Sequence, residues 1–138
     1  VPAWLTLAPS DPAVGYAVAN RVARGASERG IFRTTDGGAT WGGAVVDDQD
    51  VGGVPARITG GTRVWVDPLD PRRALFAFGS YIEGYGVDLF RSSDGLDTLE
   101  ISHLGGFYKV YAVAFGPPGS DVVFVGASSD VPAAGASR

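Results

Sequence analysis

The sequence predicts an all-β protein built from β-propeller blades, and three features carry that prediction. Glycine and proline, 21 and 9 of 138 residues, divide the chain into short apolar runs of about 4–8 residues without the spacing of a helix. An acidic turn occurs twice, with Asp36 and Asp94 58 residues apart. A pattern of apolar run, proline-rich turn and second apolar run occurs three times. Four-stranded antiparallel units repeated every ~40–60 residues are typical of propellers.

The first unit is predicted to contain four strands, near residues 5–8, 15–19, 30–34 and 41–46. Pro9 and Pro12 separate the first two strands, because proline fixes φ and cannot donate to a sheet ladder. Asp36 and Gly37 form a hairpin dipeptide, since glycine tolerates positive φ and aspartate can accept hydrogen bonds from the backbone ahead of it. The acidic turn therefore joins the third and fourth strands.

The second unit repeats this order, and the third is incomplete. Strands are predicted near residues 63–66, 74–78, 87–91 and 98–102, then near 110–115 and 122–127. We therefore predict a partial propeller over residues 1–138, with blade 1 at 4–48, blade 2 at 62–104 and half of blade 3 at 110–129. A ring needs roughly 4–8 blades, so the expected partners include the remaining blades, from missing sequence or from other chains.

The composition argues against several classes of protein. With 45% hydrophobic and 19% charged residues, the chain is expected to be globular. A net charge of −4 with scattered basic residues argues against nucleic acid as a partner, and no apolar run is long enough for a membrane span. The absence of cysteine excludes disulfides and Cys-built zinc sites, and we expect no cofactor. Because Val1 is not methionine, we expect a processed or partial chain.

The duplicated turn follows the pattern Ser/Thr-x-Asp-x-Gly-x-Thr-Trp, read at residues 34–41 and again, less completely, at 92–99. This pattern resembles the Asp-box, or bacterial neuraminidase, repeat of sialidases, xyloglucan-degrading glycoside hydrolases and sortilin-type receptors. The resemblance implies a propeller scaffold. It also implies that the structural box residues are Thr34, Asp36, Gly38, Thr40, Trp41, Ser92, Asp94 and Thr98.

The second box departs from the pattern, because Leu96 stands where the first has Gly38 and Leu99 replaces Trp41. The resemblance therefore leaves the detailed geometry of the second turn open. We expect the box aspartates to be structural, since they lie in tight turns of different units and lack the ligand spacing of calcium loops. The arginines that precede the boxes, Arg33 and Arg91, are predicted to cover a sheet face with their alkyl stems.

The alternation of strand direction places the boxes and proline turns on one side of the predicted disk and the longer connections on the other. These connections are residues 20–29, 47–62, 79–86 and 103–109. Long loops on a rigid scaffold commonly carry binding sites, and aromatic rings with polar edges suit sugars and proteins alike. The candidate ligand-binding residues are Tyr81, Tyr85, Phe107, Tyr108, Arg57 and Asp50.

Two functions from different classes follow. The first is a secreted, periplasmic or cell-surface module that binds a glycan or a protein through the long-loop side and is not catalytic in this segment. The second is a fragment of a glycoside hydrolase, xyloglucanase-like more than sialidase-like, because residues 31–34 lack the Ile-Pro of the sialidase segment. Such enzymes place two carboxyl groups roughly 5–10 Å apart, and the candidates are Asp50, Glu83 and Asp88. We predict no metal site, because Asp47, Asp48 and His103 read as solvated loop residues.

Overall fold

The computed structural model describes residues 4–23, 25–46, 49–51, 54–56, 63–78, 88–102 and 109–128. Every regular element in these ranges is a β-strand, so the predicted all-β class is confirmed for this part of the chain. The strands form several antiparallel sheets, and none of them closes on itself. Within the same ranges there is no long apolar helix of the kind that crosses a membrane.

The first sheet contains β1 (Trp4–Ala8), β2 (Asp11–Ala23), β3 (Ala26–Thr34) and β4 (Gly42–Val46), paired in sequence order. The prediction of a loop at residues 20–29 is wrong, because β2 and β3 continue as a hairpin to the pair Ala23 and Ala26. The backbone pairing of these residues is accompanied by a side-chain hydrogen bond across the strands, in which Arg29 Nε donates to Asn20 Oδ1 at 3.2 Å. Gly25, with φ 81°, permits the sharp reversal.

A small hairpin that the sequence did not predict follows the first sheet. It consists of β5 (Gln49–Val51) and β6 (Val54–Ala56), inside the stretch predicted as a loop at residues 47–62. Strands of three residues are too short to show a two-residue alternation, so periodicity could not reveal them.

The second sheet contains β7 (Arg63–Val66), β8 (Ala74–Phe78), β9 (Asp88–Ser92) and β10 (Glu100–Ser102), again paired in sequence order. These strands lie where the apolar runs predicted them. Two further strands, β11 (Lys109–Phe115) and β12 (Val123–Ser128), pair with each other. In the described ranges β12 has no partner other than β11.

The first sheet, the second sheet and the β11–β12 pair stack face to face, with an apolar cluster in each interface. The cluster between the first and second sheets contains Tyr16, Val18, Ile31, Val64, Ala74, Phe76, Phe90 and Leu96. Leu75, Ala77, Leu89 and Val110 form the next cluster, against which Val113, Phe115, Val123 and Val125 pack. Neighbouring residues of a strand face opposite sides, so Leu75 and Phe76 of β8 serve different clusters. The strand β8 is therefore buried on both faces.

Turn hydrogen bonds show which positions of the three sheets correspond. Gly37 N donates to Ala13 O in the first sheet, and Gly95 N donates to Arg72 O in the second. The proline-rich turns match in the same way, since Asp67 N donates to Arg73 O and Gly116 N donates to Val122 O. Tyr16, Leu75 and Phe124 thus occupy equivalent positions. The division of the chain into propeller blades stays a prediction.

Candidate functional site

In both box turns the side-chain hydroxyl of the first residue accepts a hydrogen bond from the backbone N–H four residues ahead. Thr34 Oγ1 accepts from Gly38 N at 2.9 Å, and Ser92 Oγ accepts from Leu96 N at 2.8 Å. Each hydroxyl also donates to the aspartate two residues ahead, Thr34 to Asp36 at 2.8 Å and Ser92 to Asp94 at 2.9 Å. The two turns are held by equivalent atoms although their sequences differ.

The aspartates anchor the far end of each turn. Asp36 accepts from Thr40 N at 2.9 Å and from Thr40 Oγ1 at 2.5 Å, and Asp94 accepts from Thr98 N at 2.9 Å and from Thr98 Oγ1 at 2.6 Å. The threonine hydroxyls, and after them the backbone N–H groups, lower the pKa of both carboxyls to about 2. Carboxylates that are held ionised by their own turn are unsuited to general acid chemistry at neutral pH.

The second turn keeps its geometry despite Leu96. This residue has φ 77° where Gly38 has φ 93°. A side chain in this left-handed region costs on the order of 1–2 kcal/mol. Leu96 is only 6% exposed and belongs to the cluster between the first and second sheets, so apolar burial offsets that cost.

The arginines that precede the boxes do more than cover a sheet face. Arg33, on the face of the first sheet that meets the second, donates from its guanidinium to Gly95 O in the second box. Arg91, at the matching position, forms an exposed ion pair with Glu100 at 2.6 Å. Equivalent positions therefore have different partners, and of these two arginines it is Arg33 that links two sheets in the described part of the chain.

A second set of polar contacts joins neighbouring sheets at their proline-rich turns. Tyr16 donates its hydroxyl to Pro71 O at 2.8 Å, and burial raises the pKa of Tyr16 to about 12. Arg73 donates to Ser120 O, which is equivalent to Pro71 O, at 2.9 Å. Arg73 also pairs at 3.0 Å with Asp67, which is buried. An alignment of the three proline-rich turns in the sequence would have shown that Pro71 and Ser120 are equivalent. It would not have shown which side chains donate to their carbonyl oxygens.

The predicted ligand-binding and catalytic residues lie mostly outside the described residues. This holds for Arg57, Tyr81, Glu83, Tyr85, Phe107 and Tyr108, and also for Asp47, Asp48 and His103. Asp50 lies in β5 opposite Pro55, and Asp88 begins β9 opposite Phe78, but their side chains are not among the described ones. The grouping of these residues into one site stays a prediction.

Two described residues at the ends of β1 and β7 form a contact that the sequence did not predict. The guanidinium carbon of Arg63 lies 4.2 Å from the ring centre of Trp4. Both residues begin their strands, so they lie at the end of the sheets opposite the boxes. Among the described residues, the buried Trp4 Nε1 has no hydrogen-bond partner. The long-loop side thus carries a cation stacked on an indole.

The described side chains include no group of three His, Asp or Glu residues placed to hold a metal ion. They do line a groove of about 250 Å³ between the second sheet and the β11–β12 pair. This groove lies on the box side of the molecule, and its lining residues include Arg73, Arg91, Glu100, Phe115, Asp121 and Val123.

Comparison with known proteins gives one informative similarity. No protein-family model matches the sequence. Over 126 residues the chain is 29% identical to a dispase autolysis-inducing protein of Streptomyces mobaraensis. The match covers 88% of this chain and 32% of that protein, so the chain spans about a third of the length of this relative.

Proposed function

We propose that this chain is an Asp-box segment of a β-propeller in a secreted, periplasmic or cell-surface protein. On this proposal its long-loop side binds a partner protein, and the segment itself is not catalytic. The observation that carries the proposal is the repeated box network, found in two sheets with the same strand order that stack face to face. Repeated four-stranded antiparallel sheets of this kind are typical of propeller blades.

Polar side chains on the box side already make hydrogen bonds within the molecule, which favours the long-loop side as the binding surface. On the box side the aspartates bind their own turns, and Arg33, Tyr16 and Arg73 bind carbonyl groups of the next sheet. Such groups are already engaged in holding the scaffold. Loops supported by a rigid scaffold are where binding residues are usually found.

The choice of a protein as ligand is supported by the relative, whose name describes an effect on another protein, dispase. Tyrosine, phenylalanine and arginine are enriched at protein interfaces, and they are the residue types of the candidate set at Arg57, Tyr81, Tyr85, Phe107 and Tyr108. The stacked Arg63 on the same side would offer a further cation to an acidic partner.

The direct test is to incubate the purified chain with dispase and follow the loss of intact dispase by gel electrophoresis. We expect faster loss than with dispase alone, and capture of dispase by the immobilised chain. Replacing Tyr81, Tyr85, Phe107 and Tyr108 together by Ser should remove both effects. Arg72→Ser, at an exposed residue of the box side, is the matched control and should leave them unchanged.

Two other outcomes would replace this proposal. Binding on a glycan array without any capture of dispase would make the ligand a glycan. Hydrolysis of xyloglucan that is lost in Asp50→Asn, Glu83→Gln or Asp88→Asn would favour the glycoside hydrolase fragment.

A further inference from the structure

We propose that the free end of the β2–β3 hairpin binds an extended acidic segment of a partner protein, which adds to the edge of β2 as a further strand. This end, the ribbon, consists of residues 20–23 of β2 and 26–29 of β3. It lies on the side of the molecule opposite the boxes. The inference rests on the protein-binding role proposed above and names the conformation and the charge of the bound segment.

The ribbon continues beyond the other two strands of the first sheet. β1 begins opposite Val18 of β2, and β4 ends opposite Gly30 of β3. The further pairs of β2 and β3 are Asn20 with Arg29, Arg21 with Glu28, Val22 with Ser27 and Ala23 with Ala26. Within the described residues the ribbon is therefore a two-stranded structure without a third strand on either edge.

The edge of β2 in the ribbon can accept an added strand. An edge strand has backbone donors and acceptors that point outward, and an extended peptide can pair with them. Val22 is 78% exposed, and a β-branched side chain gives such a strand an apolar neighbour. The hydrogen bond from Arg29 to Asn20 braces the ribbon before binding, so less conformational freedom is lost when the partner binds.

The charge of the ribbon favours an acidic occupant. Residues 20–29 contain three arginines and one glutamate, a net charge of +2 in a chain whose net charge is −4. Opposite charges on two surfaces steer the partners together and disfavour partners of the wrong sign. The planar guanidinium group of arginine also matches the two oxygens of a carboxylate.

Arg63 adds a cation at the point where the free edge of β2 begins. Trp4, the first residue of β1, pairs with Val18, and the guanidinium carbon of Arg63 lies 4.2 Å from the centre of the Trp4 ring. Among the described residues Arg63 has no carboxylate partner. Stacking on the indole holds this cation in place, ready to pair with a carboxylate on the added strand. For this reason we assign the added strand to β2 and not to β3.

The test uses a short fluorescein-labelled peptide in which glutamate and valine alternate. We expect a saturable rise in fluorescence anisotropy when the 138-residue chain is added, and slower amide hydrogen exchange in residues 20–23. Added sodium chloride should weaken the binding, because salt screens charges at the surface. A peptide with lysine in place of glutamate should not bind.

Two variants assign the binding to the ribbon and to Arg63. Replacing residues 20–29 by Asn-Gly connects Ala19 to its partner Gly30 through a two-residue turn, and should abolish peptide binding with an unchanged melting temperature for the rest of the chain. Arg63→Ala should weaken binding about three- to fivefold, because a surface ion pair is lost. Arg72→Ala, at an exposed arginine on the box side, is the matched control and should not change it.

Absence of peptide binding would overturn the inference, and so would binding that leaves exchange in residues 20–23 unchanged. Equal binding of the lysine peptide would also overturn it, because the ribbon would then not select for acidic segments. The capture of dispase is measured separately and without the peptide. Its failure would remove the proposed ligand and leave the peptide result standing, whereas capture without peptide binding would leave the proposed function standing and remove the ribbon as its site.

Discussion

The hydroxyl of Tyr16 donates a 2.8 Å hydrogen bond to the carbonyl oxygen of Pro71, which belongs to the neighbouring sheet. The ring is fully buried and meets Phe76 edge-on, with ring centres 6.1 Å apart. Apolar contacts between sheets are not directional, whereas a hydrogen bond defines the position of both partners. This contact therefore fixes how the first sheet is placed along the second.

Tyr16→Phe tests the energy of this contact. Phenylalanine keeps the ring in the cluster but removes the donor to Pro71, so we expect a loss of about 1–2 kcal/mol in the free energy of unfolding. Urea denaturation with an unchanged m-value measures it. A loss below about 0.5 kcal/mol would show that the hydrogen bond does not hold the two sheets.

Alkaline pH should destabilise the protein through the same residue. Burial raises the pKa of Tyr16 from 10 to about 12, so the folded state favours the neutral phenol. The stabilisation is complete below pH 10 and is lost as the pH rises towards 12. Urea midpoints between pH 9 and 12 should fall more steeply in the wild type than in Tyr16→Phe. Parallel curves would contradict the assignment.

Acid pH should destabilise the protein through the boxes. The pKa of Asp36 and of Asp94 is lowered from 3.8 to about 2 by hydrogen bonds to the ionised forms. Their contribution is therefore present above pH 4 and is lost as the pH falls towards 2. Melting temperatures should decline across this range in the wild type and less in the double variant Asp36→Asn and Asp94→Asn. A decline of the same size in the double variant would contradict the assignment.

The two box glycines should differ in their tolerance of alanine. Gly37 and Gly95 have φ 72° and 80°, so alanine is strained at both positions by about 1–2 kcal/mol. A Cβ at Gly37 would meet nothing within 4 Å, whereas a Cβ at Gly95 would push away the end of the Arg33 side chain, which would then lose its hydrogen bond to Gly95 O. We expect Gly95→Ala to reduce the free energy of unfolding by at least ~1 kcal/mol more than Gly37→Ala. Equal losses in urea would argue that Arg33 does not hold the second box.

The buried ion pair between Arg73 and Asp67 should contribute more than its exposed neighbour. Arg73→Ala leaves the buried Asp67 carboxylate without its cation and removes the donor to Ser120 O, for an expected loss of about 3 kcal/mol. Arg72→Ala removes a pair to Asp70 in which the arginine is 70% exposed, and should cost less than ~1 kcal/mol. Thermal denaturation of the two variants gives the comparison. Similar losses would show that burial does not matter here.

Strands that coincide with a clear apolar run were predicted well, and strands without such a run were not. Residues 63–66 and 74–78 form strands as predicted, because each is an apolar run with a proline-rich turn beyond one end and glycine beyond the other. The hairpin over residues 20–29 was missed because its composition is polar and loop-like, and only pairing with the partner strand reveals it. The candidate ligand residues at 81, 85, 107 and 108 lie outside the described residues, so their role stays a prediction.

By itself the sequence determined the strands with clear apolar runs and the positions of the two box turns, because both depend on residues close together in the chain. In each turn the first hydroxyl donates to the aspartate two positions ahead and accepts from the backbone N–H four positions ahead. Only the tertiary structure decided which faces meet and which side chains join them. Tyr16 and Pro71 are 55 residues apart, and Arg33 and Gly95 are 62 apart. Contacts over such distances exist only once stacked sheets have excluded water between them, and no local pattern specifies that stacking.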